Sequence, residues 1–272
     1  MKTTYKDFSQ KFSNKYENLS DNFFKDYKIN WYKKIFSTMD KIDHNIEQNI
    51  FNEIIVSDYQ TEGKGRFNRS WDSKNGEDLL VSIPIILNES FSGKIPIIAS
   101  LAVFNTVTNL ISKKIDISIK WPNDILVNNK KISGILIKSK IHDKRAIFNI
   151  GIGININSDK KNNTMLEYDA TSFFSESGSI FSRQIVLLEL CKQLSINLDL
   201  NYKICVEKYK ESIFVPKKKI NIVNQNNKHS EDYYFESITD QGLLVVVSKN
   251  GDKLELTSEE ISYSLLGDNP NH

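Results

Sequence analysis

The chain has 272 residues, long enough for one large domain and a small one, and its 39% hydrophobic and 26% charged content is ordinary for a globular protein. Its longest apolar stretch, Leu79 to Leu87, has nine residues. A spanning helix needs about 20, so no membrane-crossing segment is expected. The net charge of +2 comes from dispersed lysines, without the clustered basic footprint of a duplex binder, so no nucleic-acid partner is expected.

Residues 1–30 are polar and aromatic, with a weak helical pattern through Tyr5, Phe8, Phe12 and Tyr16. Their acids (Asp7, Glu17, Asp21, Asp26) and lack of an apolar core argue against a signal or transit peptide, so the expected compartment is the cytoplasm. An amphipathic helix is predicted from Trp31 to about Glu47, and a strand from Asn52 to Asp58. Leu79 to Ile86 reads as a strand. Ile97, Leu101, Phe104, Val107 and Ile111 mark one buried helix face. Ile115 to Lys120 is a strand ending at Trp121-Pro122. Ile125 to Val127 and Lys131 to Ile137 flank Asn128-Asn129, a favourable hairpin turn because asparagine tolerates positive φ. Ala146 to Ile156 is a further strand, and Leu187, Leu190, Cys191, Leu194 and Leu198 stripe a helix capped by Ser182.

After Pro216 the pattern changes to short strands at Lys219–Val223, Tyr233–Ile238, Leu243–Val247 and Lys253–Leu256. Turns fall at Asn224–Lys228, Asp240–Gly242 and Asn250–Gly251. Close spacing suggests a small β-barrel or sandwich beginning near Phe214. The larger part mixes strands and helices without regular alternation, so the fold class is α+β. Cys191 and Cys205 are read as free thiols on helix faces, and the four histidines are too scattered for a metal site. A carboxylate-bound magnesium would leave no such signature.

Four segments carry chemistry. Gln60 to Trp71 holds Gly63 and Gly65 with Lys64, Arg66 and Arg69, a combination suited to a phosphate ester, although a solvated basic loop would look the same. It lacks Walker-loop spacing. Lys120-Trp121-Pro122-Asn123-Asp124 offers a cation, an amide and a carboxylate at a strand end; a capped turn would explain the last two equally well. In Lys131-Ile132-Ser133-Gly134-Ile135-Leu136, strand alternation sends Lys131 and Ser133 to one face and Ile132, Gly134 and Leu136 to the other. Gly134 suggests close approach by a ligand or another backbone. Gly151-Ile152-Gly153-Ile154-Asn155 leaves one strand face flat, as a ring-shaped ligand or a tight strand crossing would require.

In this order the four segments resemble the biotin–protein ligase family, whose pattern runs Q-T-x-G-[RK]-G-R, K-W-P-N-D, K-[LIV]-[SA]-G-[IL]-[LI] and G-[IV]-G-[IL]-N. The likeness extends through Ala170-Thr171-Ser172 and into Gly242-Leu243-Leu244 and Glu260-Ile261, covering roughly Trp31 to Leu265. It implies a class II synthetase-like catalytic domain over residues 31–213, an SH3-like β domain over 214–272, and an extension of unexplained role over 1–30. The implied activity joins biotin to ATP as biotinyl-5′-AMP and transfers it to a lysine of a biotin carboxyl carrier protein, such as that of acetyl-CoA carboxylase. ATP and Mg2+ are the implied cofactors, and a homodimer is possible. About 30 residues are too few for the winged helix-turn-helix of family members that are also repressors, which implies a monofunctional ligase.

By the same resemblance, Ser37, Thr38, Met39, Gln60, Gly63, Lys64, Gly65, Arg66, Lys131, Gly151 and Gly153 contact biotin. Arg66, Arg69, Trp71, Asn123, Lys131 and Asn155 contact the nucleotide, with Lys131 first among the catalytic candidates beside Arg66, Lys120 and Asp124. The metal ligands stay open. The family's D-S-T-N is Phe36-Ser37-Thr38-Met39 here, Asn68 replaces a common glycine and Lys64 a common arginine. The rival readings are a lipoate or octanoate ligase, a non-catalytic biotin sensor or carrier-binding module, and a DNA-binding regulator.

Overall fold

A computed structural model describes residues 2–12, 23–87, 93–111, 115–142, 145–159, 169–216, 220–221 and 232–257. Eight strands form one mixed sheet in the order β1-β2-β3-β4-β8-β7-β6-β5. These are β1 (Lys2–Thr4), β2 (Lys28–Tyr32), β3 (Glu53–Ser57), β4 (Leu79–Leu87), β5 (Ile117–Lys120), β6 (Asp124–Val127), β7 (Lys130–His142) and β8 (Arg145–Ile154). All neighbours are antiparallel except β2 and β3, whose parallel pairing needs a crossover, supplied by helix α2 (Thr38–Glu47).

The alternation of side chains in each strand builds two layers. Phe148, Ile150, Ile152 and Ile154 of β8, with Val81 and Ile83 of β4, enter the main core with α3 (Ile95–Leu110), α4 (Phe173–Ser177) and α5 (Arg183–Asp199). Ile147 and Ile55 point the other way, against Ile42 and Ile46 of α2. Asn149, Gly151 and Gly153 alternate with the main-core residues and so belong to the α2 face. On that face Met39 of α2 lies over Gly151 and the Trp71 indole over Gly153.

Described residues before Trp31 join this sheet and its core. β1 pairs with β2, and α1 (Tyr5–Phe12) buries Tyr5 and Phe8, the latter stacked on Trp31 at 6.2 Å between ring centroids. Tyr27 donates its hydroxyl to the Pro84 carbonyl at 2.9 Å. The domain boundary expected at residue 31 thus falls inside β2. The helix expected over Trp31–Glu47 begins only at Thr38. Lys28–Tyr32, rich in aromatic and β-branched residues, is instead drawn into the sheet between two strands, and Ser37 sets the helix start by capping.

The predicted hairpin forms, with φ of 50° at Asn128 and 62° at Asn129. Ser182 caps α5 as expected, accepting from the Ile185 N–H at 3.4 Å. The helix face expected at Cys205 is that of α6 (Tyr202–Glu211), whose bounds the sequence reading did not give; it is capped by Asn201 and buries Cys205, Val206 and Tyr209. Both cysteines are free and buried. A second, antiparallel sheet of order β12-β11-β10-β9 joins β9 (Ile220–Asn221), β10 (Asp232–Ile238), β11 (Leu244–Ser248) and β12 (Lys253–Leu256). Its inner residues Ile220, Ile238, Leu244, Val246 and Leu256 join the main core. The turn at Asn224–Lys228 and the pair Glu260-Ile261 lie outside the described residues. No described helix is long and apolar enough to cross a membrane.

Candidate active site

The floor of the site comes from adjacent strands. Gly153 of β8 pairs with Gly134 of β7 and Gly151 with Ser82 of β4. Added β-carbons would collide with side chains above them: at Gly151 with Met39, at Gly153 with the Trp71 indole, and at Gly134 with Trp71 Cζ3 at 2.8 Å and Lys131 Nζ at 3.1 Å. Only glycine allows this close approach. The Trp71 Nε1 is buried and has no hydrogen-bond partner among the described residues.

Gly134 and Lys131 therefore share a face, which corrects the alternation expected from sequence. Against β6, the register of β7 shifts between Lys131 and Ser133, an irregularity that inserts Ile132 as an extra residue. Ile132 is fully buried in the main core, and Ser133 turns its hydroxyl to the Gly153 carbonyl at 2.7 Å.

One wall is the start of α2. Gln60 Oε1 accepts from both the Thr38 N–H (2.7 Å) and the Thr38 hydroxyl (2.9 Å), and the Ser82 hydroxyl donates to Thr38 Oγ1 at 2.8 Å. Asn149 Nδ2 donates to the Met39 carbonyl at 2.9 Å and to Asp43 at 2.8 Å. Ser37 is buried and its hydroxyl is engaged in capping α2.

The opposite wall is the Gly63–Trp71 loop, closed on itself. The Trp71 N–H donates to the Gly63 carbonyl (3.0 Å), and the Gly65 N–H to the Arg69 carbonyl (2.8 Å). Its tip holds Phe67 and Asn68 at φ of 54° and 58°, a left-handed conformation that costs a bulky side chain on the order of 1–3 kcal/mol.

At the far end the cations gather. Lys131 Nζ meets Asp124 Oδ1 at 2.8 Å and lies 5.5 Å from the Trp71 ring centroid. Arg66 Nη1 donates to Asn123 Oδ1 at 3.1 Å, and Asn123 Nδ2 donates to the Ile135 carbonyl at 2.7 Å. Lys120 is 8% exposed. Burial pushes its pKa down and the nearby cations Lys131 and Arg69 add to this, while Asp124 opposes them. Asn155 is buried and donates to the Thr171 carbonyl at 2.9 Å; the Thr171 N–H donates in turn to the Lys131 carbonyl at 2.9 Å, fixing the start of β7.

Most of the residues predicted from sequence thus converge on one face. One stands apart: Lys64 pairs with Asp40 at 2.6 Å on the surface, whereas Arg69, though exposed on the loop, is close enough to Lys120 to lower its pKa. Ser82 and Asn149 were missed; their only sequence signal is a polar residue interrupting an apolar strand. Among the described residues no cluster of three or more histidine, cysteine or carboxylate side chains could hold a metal. A flat glycine floor ending at a cationic cluster is suited to joining a ring-bearing acid to a phosphate ester.

Residues 31–157 match the Biotin/lipoate A/B protein ligase family. The chain is 34% identical over 134 residues to biotin–protein ligase 1, chloroplastic, of Arabidopsis thaliana, covering 47% of this chain and 36% of that protein. It is 35% identical over 133 residues to the bifunctional ligase/repressor BirA of Bacillus subtilis, covering 46% and 40%. The chain spans less than half the length of these curated relatives. Biotin protein ligase from Aquifex aeolicus, solved with biotin and ATP, superposes with a TM-score of 0.70 at 25% identity, over 87% of this chain and 98% of that one. The family match covers less than half of the chain.

Proposed function

We propose that the chain is an ATP-dependent biotin–protein ligase. The observation that carries this reading is the continuity between the glycine floor under Met39 and Trp71 and the cluster Lys131, Asp124, Lys120 and Arg66. In the first step a biotin carboxylate oxygen attacks the α-phosphorus of ATP. The bond to the bridging oxygen breaks, and pyrophosphate leaves. Two anions must approach, so fixed cations are the main requirement. Lys131 faces both, Arg66 holds the α-phosphate from the loop, and Lys120 adds a buried charge. In the second step a carrier lysine, as the free amine, attacks the biotinyl carbonyl and AMP leaves.

The ureido end of biotin is assigned to Thr38, Gln60 and the backbone of Gly63–Arg66, and its rings to the floor near Gly151 and Met39. The nucleotide is assigned to Arg69, Trp71, Asn123 and Asn155. Magnesium, when bound, neutralises charge on the nucleotide phosphates. Among the described residues no carboxylate cluster would hold it, so it would come with the nucleotide. We read β9–β12 as part of an SH3-like domain from residue 214, and the acceptor as a biotin carboxyl carrier protein.

The test is biotin-dependent exchange of labelled pyrophosphate into ATP, with lipoate and octanoate in parallel. Exchange with biotin alone is expected. Exchange only with the other acids would overturn the substrate, and exchange with none would overturn the adenylation.

A further inference from the structure

Lys120 is the least accessible cation of the site, and the backbone on both sides of it is held by chain lying beyond the family-matched segment. Before it, the Ile119 N–H donates to the Ser212 carbonyl and the Ile119 carbonyl accepts from the Phe214 N–H, each at 2.8 Å. After it, Trp121, 3% exposed, donates its indole N–H to the Gly242 carbonyl at 2.9 Å. That turn is itself braced. Tyr202 donates to the Asp240 carbonyl at 3.0 Å, Lys210 pairs with the Asp240 carboxylate at 2.6 Å, and Gly242 sits at φ +83° against Ile97 of α3.

We propose that the Asp240–Gly242 turn of the second sheet is a positioning element of the active site, setting the placement of Lys120 through the Trp121–Gly242 hydrogen bond. The Trp121 indole N–H finds its partner in a turn of the other sheet. Trp121 is bonded directly to Lys120, so the end of β5 is clamped at Ile119 and at Trp121 with the buried ammonium between. Charge–charge distances from Lys120 to Asp124 and Lys131 follow from where this clamp holds the strand. At low local dielectric small displacements there change the field at the reacting phosphate strongly. Trp121 and Gly242 are positioning residues: they act through Lys120 and do not touch substrate.

The test uses the full chain with Trp121→Phe, which keeps the ring and removes the donor. The first readout is competitive acetylation of the Lys120 amine across pH, resolved by mass spectrometry, and it does not depend on the ligase reading. The expected result is a displaced titration midpoint for Lys120, with the other lysines unchanged. The second readout rests on that reading: kcat for biotin-dependent exchange should fall about tenfold, with the KM for biotin unchanged to within about twofold. A folded Trp121→Phe chain with native Lys120 titration and native kcat would overturn the positioning role. Absence of exchange in the native chain would overturn the ligase reading alone. If Trp121→Phe does not fold, the surface pair Tyr202→Phe with Lys210→Ala loosens the same turn from outside. It should move Lys120 in the same direction by a smaller amount, and an unmoved Lys120 would again overturn the proposal.

Discussion

Gly153 and Trp71 fit together as floor and cover: a β-carbon built on Gly153 would lie 2.6 Å from Trp71 Cζ2 and 2.8 Å from its Nε1. Gly153→Ala must therefore push the indole off the sheet. The expected cost is about 1–3 kcal/mol, as for other overpacked sites, with a red-shifted tryptophan emission that Trp71→Phe abolishes. Ligand affinity should fall as the flat floor is lost. Native emission from Gly153→Ala would show that the indole does not rest on this glycine.

Lys131 and Asp124 form the ion pair nearest this cover, at 2.8 Å. Lys131→Ala should slow adenylation by about 100-fold or more, some 2.7 kcal/mol of transition-state stabilisation. Asp124→Asn leaves the ammonium in place without its counter-charge, and is expected to lower kcat less than Lys131→Ala does. Stopped-flow pyrophosphate release measures both. A near-normal rate in a folded Lys131→Ala chain would remove this lysine from the chemistry.

The grouping of these residues was implied in the sequence by the resemblance of four ordered motifs to one family; taken singly, each motif also fitted a solvated loop, a capped turn or a strand crossing. The Asn128-Asn129 hairpin and the Ser182 cap were legible because local chemistry decides turns and caps. What escaped depended on distant pairing. Lys28–Tyr32 has no period that separates a strand from a helix, and its pairing with β1 and β3 decides the matter. The facing of Lys131 could not be read by alternation, because the register shift against β6 at Ile132 is set by the partner strand. Helix α6 was legible in principle from Asn201 and the spacing of Cys205, Val206 and Tyr209.

Burial of Lys120 links stability to pH. Its folded pKa lies below the ordinary lysine value of 10.5, so the unfolded chain binds the proton more tightly. Stability should rise as pH passes up through the folded value and level off above 10.5. Lys120→Met should flatten that rise while losing pyrophosphate exchange. Urea unfolding of both chains across this range is the check, and parallel curves would show that Lys120 is not the group responsible.

The first residues of the chain should matter for stability and little for catalysis. Phe8 is buried in the main core and stacks on Trp31. Phe8→Ala is expected to cost about 3–5 kcal/mol, read as a lowered urea midpoint with an unchanged slope. The KM for biotin should stay native below the transition. A changed KM with native stability would place α1 in contact with the site.

Arg66 joins the loop to the cation cluster through its 3.1 Å bond to Asn123, with its guanidinium 4.7 Å from the Phe67 ring centroid. On the ligase reading these contacts would hold the loop over the mixed anhydride, and enclosure is what keeps water from such an intermediate. Arg66→Gly removes both at once. The expected outcome is release of biotinyl-5′-AMP into solution, seen as biotin on the lysines of a bystander protein such as serum albumin. Asn123→Ala keeps the guanidinium but frees it from its partner, and should leak less. Equal bystander labelling by the native chain and Arg66→Gly would show that loop closure does not retain the intermediate, whatever Arg66 contributes to its formation.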